Sequence, residues 1–222
     1  MESLKFLTVL QVSDSAFPTG GFSHSGGLEV ALKYNYVTTS EKLEQFLVCS
    51  LENAGSFSLP FLTAAFKNCF DVVKVRSLDH LIDVSTTNHV AKRASVRQGR
   101  SLLEMCHRTL DRNNLSSLWE GLSHCHQPVV LGSVCGVIGL PLQATQTMFM
   151  FGILRTVVAS AVRLDIIGPV QAQLIQHKIQ ALIPAIIARN EDKEPDAAAL
   201  AFPHVDVVQN CQDTLYSKLF YS

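Results

Sequence analysis

Apolar residues along this chain recur at intervals of three and four, the period of a helix with one buried face, and rarely alternate as a strand would. Leu4, Leu7, Val9, Leu10 and Val12 predict a short first helix, and residues 28–34 a second. Between them, residues 13–27 form a loop rich in glycine, serine and proline. Thr38 and Glu41 stand at capping-box spacing ahead of Leu43, Phe46, Leu47 and Leu51. Ser58-Leu59-Pro60 opens the next helix, because proline costs little in a first turn. Ser77 is the expected cap of a helix over 78–84, and residues 90–110 form a long amphipathic one. Pro128 and Pro141 each mark a helix start. Residues 148–164 and 175–187 make two strongly apolar helices, the second kinked or ended by Pro184. The pattern predicts a single all-α domain over 1–222, with about eight to ten helices. A polar, mobile loop is expected near 189–198, followed by a closing segment over 205–222.

Composition sharpens this picture. Hydrophobic residues make up 47% of the 222 positions, but charged residues only 17%, below the roughly 25% of a typical soluble domain. The chain can build a large core yet has little charge to cover its surface, which points to partner subunits. Eighteen Lys and Arg against nineteen Asp and Glu give a net charge of −1. That excludes the basic footprint of a nucleic-acid binder and a highly charged disordered tail. The six cysteines, at 49, 69, 106, 125, 135 and 211, include no Cys-x-x-Cys pair and read as reduced thiols of an intracellular protein. The first residues carry no signal-peptide pattern. Residues 121–154 lack Asp, Glu, Lys and Arg, but histidines, glutamines and prolines interrupt them. The most apolar stretch, 129–140, is shorter than the roughly 20 residues of a membrane span, so buried helices are expected there.

Four groups of residues could carry chemistry. Gly20, Gly21, Gly26 and Gly27 precede a helix, as at an anion-binding turn. No lysine completes a Walker pattern, and Ser25 stands where a nucleophile elbow needs glycine, so a tightly packed loop is the simpler reading. His124-Cys125-His126 offers three ligand types at consecutive positions, a weak candidate for a soft metal. Neighbouring residues point apart, however, and no second cluster at ligand spacing is visible in the sequence. A polar turn ahead of Pro128 is the alternative. Arg155 and Arg163 lie about 80° apart around one helix, either snorkelling to water or held at an interface. Arg93, Arg97 and Arg100 form one stripe, a solvated face or a dock for an acidic surface. No catalytic constellation stands out.

The glycine segment, Pro18-x-Gly20-Gly21-Phe22-Ser23-x-Ser25-x-Gly27-Leu28-Glu29, resembles the N-terminal signature of the UreF family of urease accessory proteins. Further likenesses follow in order: Arg93-Ala94-Ser95-x-x-Gln98-Gly99-x-x-Leu102-Leu103, Pro128-Val129-Val130-x-Gly132, Gly139-Leu140-Pro141, and Ala161-Val162-Arg163-Leu164 with Gly168 and Gln173. Leu215-Tyr216-Ser217-Lys218-Leu219-Phe220-Tyr221-Ser222 is similar to the family's Arg-Leu-Phe-Arg-Ser ending. The chain departs from the family at Gln212 and Asp213, where His-Glu is common, at Lys218 and Tyr221, which replace an arginine pair, and at Pro169.

The resemblance implies an all-helical, non-enzymatic, cytoplasmic factor that forms a homodimer. It implies a bridge between a UreD-type (also UreH-type) accessory protein and a UreG-type GTPase. The assembly delivers nickel to apo-urease and modulates GTP hydrolysis. No permanently bound cofactor is implied, nickel being handled by the complex, and neither nucleic acid nor membrane is a partner. Gly20, Gly21, Phe22, Ser23, Glu29 and Arg163 match the GTPase-facing set. Tyr216, Lys218, Leu219, Phe220 and Ser222 match the UreD-facing set. A helical metal-binding protein using His124, Cys125 and His126, and a membrane-surface protein using 129–154, are the alternatives from other classes.

Overall fold

A computed structural model describes residues 2–222 and contains no strand among them. The all-α expectation holds. Twelve α-helical segments follow in order: α1 (Glu2–Ser13), α2 (Leu28–Lys33), α3 (Ser40–Asn53), α4 (Leu59–Lys67), α5 (Val72–Ser85), α6 (His89–Thr109), α7 (Arg112–Gly121), α8 (Gln127–Val137), α9 (Leu142–Arg163), α10 (Pro169–Gln180), α11 (Ile183–Asn190) and α12 (Pro203–Asn210). Nine of them run nine residues or more, within the eight to ten expected, and α2, α11 and α12 are shorter.

Helix α8 is the centre of the core. Every residue from Pro128 to Cys135 is buried, and α4 and α6 pack against it. Helix α9 runs alongside with Met150, Leu154, Val157, Val158 and Ala161 inside. It is the one described helix long and apolar enough to cross a membrane, yet 56% of its apolar window is buried in this core. Such burial is what a core helix of this composition requires.

Capping side chains set the starts of several helices, not all where the sequence pattern places them. Thr39 rather than Thr38 caps α3, its hydroxyl accepting the Lys42 N–H. Asp71 caps α5 through the Lys74 N–H, which starts that helix earlier than Ser77. Ser77 lies within it and donates to the Val73 carbonyl. Asn88 caps α6 by accepting the N–H groups of Val90 and Ala91. Pro60 does not open a separate helix. A π-helical turn over Ala54–Ser58 joins α3 to α4 without a break. Pro60 has no N–H to offer the carbonyl one turn back, and the freed Ser56 carbonyl accepts the Ala199 N–H instead. Pro184 does break the helix between α10 and α11, falling in the first turn of α11.

Helix α1 forms but buries no residue. Leu4, Phe6, Leu7 and Leu10 are exposed, while Val9 and Val12 rest against the core. Arg155 reaches from α9 to the Ser13 carbonyl and fixes the end of α1. All six cysteines are free thiols. Burial pushes the Cys106 and Cys135 thiols up to about 12, so they pack as small hydrophobic groups.

Candidate functional site

The glycine segment and the last eight residues, nearly two hundred positions apart, fold against each other. Gly27 has φ +89°, and a Cβ there would sit 2.9 Å from the Gln209 Cβ of α12. Glycine is therefore needed both for the left-handed turn and for the close approach. The turn starts α2, whose first residues, Leu28 to Ala31, are buried. Glu29 is 2% exposed. Its Oε1 accepts the Leu219 N–H at 2.6 Å, and its Oε2 accepts the Phe220 N–H at 3.1 Å and the Gln212 amide at 2.8 Å. Backbone bonds extend the seam: Ser25 N–H to the Ser222 carbonyl at 2.6 Å, and Tyr221 N–H to the Ser23 carbonyl at 2.8 Å. His24 and Ser222 complete it with a buried side-chain hydrogen bond.

Arginines clamp the seam from two helices. On α9, Arg163 lies 3.7 Å from the Phe22 ring centre and 4.2 Å from that of Phe220, and it donates to the Phe22 carbonyl. On α6, Arg93 binds Asp213 through two N–H donors, each at 3.0 Å. Asp213 also takes His89 at 3.1 Å and Lys218 at 3.2 Å. The hydrogen bond from Arg93, before those from Lys218 and His89, holds the Asp213 carboxyl far below the usual carboxylate range. Tyr221 lies under Arg97 at 4.3 Å and Arg93 at 5.1 Å. The Arg93–Arg97–Arg100 stripe therefore grips this chain rather than standing free. Arg100, its third member, donates to the Ser123 carbonyl.

His24 is 3% exposed, and its Nε2 has no hydrogen-bond partner. Burial, reinforced by Arg97 and Arg93, brings its pKa down to about 4, so the imidazole is neutral at pH 7. A cavity of about 740 Å³ opens beside it, lined by Gly21, Ser95, Gln98, His126, Thr156 and Arg163 among others.

The two residue sets expected to face different partners thus form one interlocked region. Its interior members are Glu29, Phe220 and Ser222, all within 3% exposure. Glu29, expected to face a partner, is buried and instead holds the backbone of Leu219 and Phe220. The outward members are Phe22 (71% exposed), Tyr216, Leu219 and Tyr221, with Ser23 and Lys218 beside them. Sequence reasoning placed Gln212 and Asp213 only as departures. In the fold they are the tie to Glu29 and the hub of the cations.

His124, Cys125 and His126 lie in the turn before α8. The carboxylate of Asp79, fully buried on α5, accepts the backbone N–H groups of all three, at 3.0, 2.9 and 2.8 Å. Gly99 of α6 lets this turn approach, since a Cβ there would lie 1.9 Å from the Cys125 carbonyl. The Cys125 Sγ faces the Leu122 carbonyl. The His126 Nδ1 meets Ser95 at 3.1 Å and its Nε2 meets Asp83 at 3.2 Å. Cys125 turns away from the two histidines, which both reach the Asp83 Oδ1, and among the described residues no three His, Cys, Asp or Glu groups could hold an ion.

Comparison with known proteins identifies the family. A family model described as UreF matches residues 37–180. The chain is 34% identical over 216 residues to a rice protein named urease accessory protein F, covering 95% of this chain and 82% of that one. It is 34% identical over 218 residues to the Arabidopsis thaliana protein of that name, covering 96% and 90%. A Trichodesmium erythraeum protein named urease accessory protein UreF is 29% identical over 221 residues, covering 96% and 95%. With a matched model over most of its length and relatives this similar from end to end, the chain belongs to the UreF family of urease accessory proteins.

Proposed function

We propose that this chain is a non-catalytic scaffold in the maturation of urease. It binds a UreD/UreH-type accessory protein and a UreG-type GTPase together, forms a homodimer within that complex, and acts in the cytoplasm. Through the bound GTPase it modulates GTP hydrolysis and couples it to nickel insertion into apo-urease. Nickel is the cargo of the assembly rather than a resident cofactor. The observation that carries this reading is the tie between Glu29 and residues 219–220. It joins the glycine loop and the 215–222 segment into one surface, with Phe22, Tyr216, Leu219 and Tyr221 turned outward. Exposed aromatic and apolar side chains around arginines have the composition of an interface centre. The low overall charge suits a subunit with several covered faces.

The test is co-purification with the UreD-type and UreG-type proteins, read by light scattering, with nickel and a non-hydrolysable GTP analogue present. A defined complex with two copies of each subunit supports the scaffold. Deleting 215–222 should weaken binding of the UreD-type partner, because an apolar anchor leaves the interface. Full binding of both partners by the truncated chain would overturn the assignment of this surface.

A further inference from the structure

The arginines of α6 that grip the C-terminal segment differ in how their charge is met. Arg93 pairs with Asp213, and Asp213 also serves His89 and Lys218, so one carboxylate is shared by three basic side chains. Arg97 and Arg100 follow one and two turns further along the same helix, and both are exposed. Among the described residues neither forms an ion pair. Arg100 spends one N–H group on the Ser123 carbonyl. Arg97 donates no hydrogen bond within the described chain, and its guanidinium stands 4.3 Å from the centre of the Tyr221 ring. Stacking uses the face of a guanidinium and leaves the N–H groups at its edge. Arg97 is therefore a pre-positioned fork with its donors unused. Like charges one turn apart on a helix repel, and a carboxylate brought from outside relieves that repulsion. The positive field also reaches inward: after burial itself, Arg97 and Arg93 are what lower the His24 pKa.

We infer that Arg97 and Arg100 receive an acidic segment of a partner protein, docked along α6 beside Tyr221. The inference rests on the scaffold reading above and gives the chemistry of one contact within it. The surface is open, with Tyr221 47% exposed, so it fits carboxylates carried by a protein rather than a small anion enclosed alone. A nucleic acid would need a longer basic row than two arginines on a chain of net charge −1. An arginine edge meets a carboxylate through two parallel hydrogen bonds, which Arg97 can offer in full. Arg100, with one N–H group already spent, adds charge and a second contact. Exposed charges of this kind act mainly by steering the partner and speeding association.

The experiment follows association of the full chain with purified UreD-type and UreG-type proteins, singly and together, at about 50 and about 500 mM salt. Association of the parent with at least one of them should be faster at low salt. Arg97→Glu and Arg100→Glu should each slow it at least tenfold and flatten its salt dependence. Both side chains are on the surface, so circular dichroism should be unchanged. Lys42→Glu, exposed on α3, should associate as the parent does. In the complex formed by Arg97→Lys, a carbodiimide, which couples amines to adjacent carboxylates, should link position 97 to an acidic peptide of the partner. A parent that binds neither protein removes the scaffold reading and this inference together. A parent that binds, with both charge-reversed variants unaffected or no link from position 97, overturns this inference alone. So does faster amide exchange at 219–222 in Arg97→Glu while Arg100→Glu binds normally, which would leave Arg97 only the task of holding the C-terminal segment.

Discussion

Glu29 and Leu219 stand 190 residues apart in the chain, yet a carboxylate oxygen of one accepts the backbone N–H of the other at 2.6 Å. A single buried side chain thereby fixes the path of the 215–222 segment.

Replacing Glu29 should free that segment. Glu29→Gln keeps the shape but supplies one acceptor oxygen for three donors, and should lower stability by about 2 kcal/mol. Glu29→Ala leaves the N–H groups of Leu219 and Phe220 without partners and should cost more, about 3 kcal/mol. Amide exchange is the direct readout. The expected outcome is faster exchange at 219–222 with α4, α6 and α8 still protected. Unchanged protection at Leu219 and Phe220 would contradict the role given to Glu29.

Acid should loosen the same seam through His24. Its pKa is about 4 in the folded chain against 6.5 for the free group. Below pH 6.5 the unfolded chain takes up a proton that the folded chain refuses. Stability from this group is thus complete above pH 6.5 and falls as the pH drops toward 4, by about 3 kcal/mol in all. His126, whose pKa burial also lowers, acts in the same direction. Chemical denaturation of the parent and of His24→Gln across pH 4–7 separates the contributions. A parent curve parallel to the variant's would show that His24 does not titrate this way.

Arg163 stacks on two rings, and only a planar cation does that well. Arg163→Lys keeps the charge and should still lose about 1 kcal/mol, with faster proteolysis at Phe22. If lysine protects Phe22 as well as arginine does, charge rather than stacking holds the loop.

Gly99→Ala should be among the most damaging small substitutions, since its methyl would meet the Cys125 carbonyl at 1.9 Å. Either α6 or the 123–127 turn must move, at a cost of about 3 kcal/mol. Calorimetry should show the loss, and the Asp79 bonds to that turn should be the first to open.

The helices were legible in the sequence where one face is apolar and the partner is the general core. Helix α6 falls within one residue of its apolar pattern at each end, whereas α9 ends as expected but starts six residues earlier, just after Pro141. Errors came where a polar side chain had a choice of backbone partners. Thr38 and Thr39 are equivalent in composition, and only the geometry of the entering chain selects Thr39. Ser77 resembles a cap until Asp71, one and a half turns earlier, takes that place. The candidate site was legible as separate motifs but not as one object. Nothing local connects Glu29 to Leu219, or Arg93 to Asp213. The arginine stripe read as a solvated face or a dock for an acidic surface, because its own carboxylate lies 120 positions away. The buried Asp79 gave no signal, being one acid among nineteen Asp and Glu.

The π-helical turn at Ala54–Ser58 acts as a phase shifter. One additional residue in a helical turn rotates everything beyond it by about 100°. Helix α3 packs against α10 and α12, α4 chiefly against α8, and both meet α9 and α11. Removing a single residue from this turn would leave a regular α-helix and rotate the α8-facing side of α4 away from α8. The chain would keep its helix content and its composition, and lose the division by which one continuous helix serves two sides of the molecule.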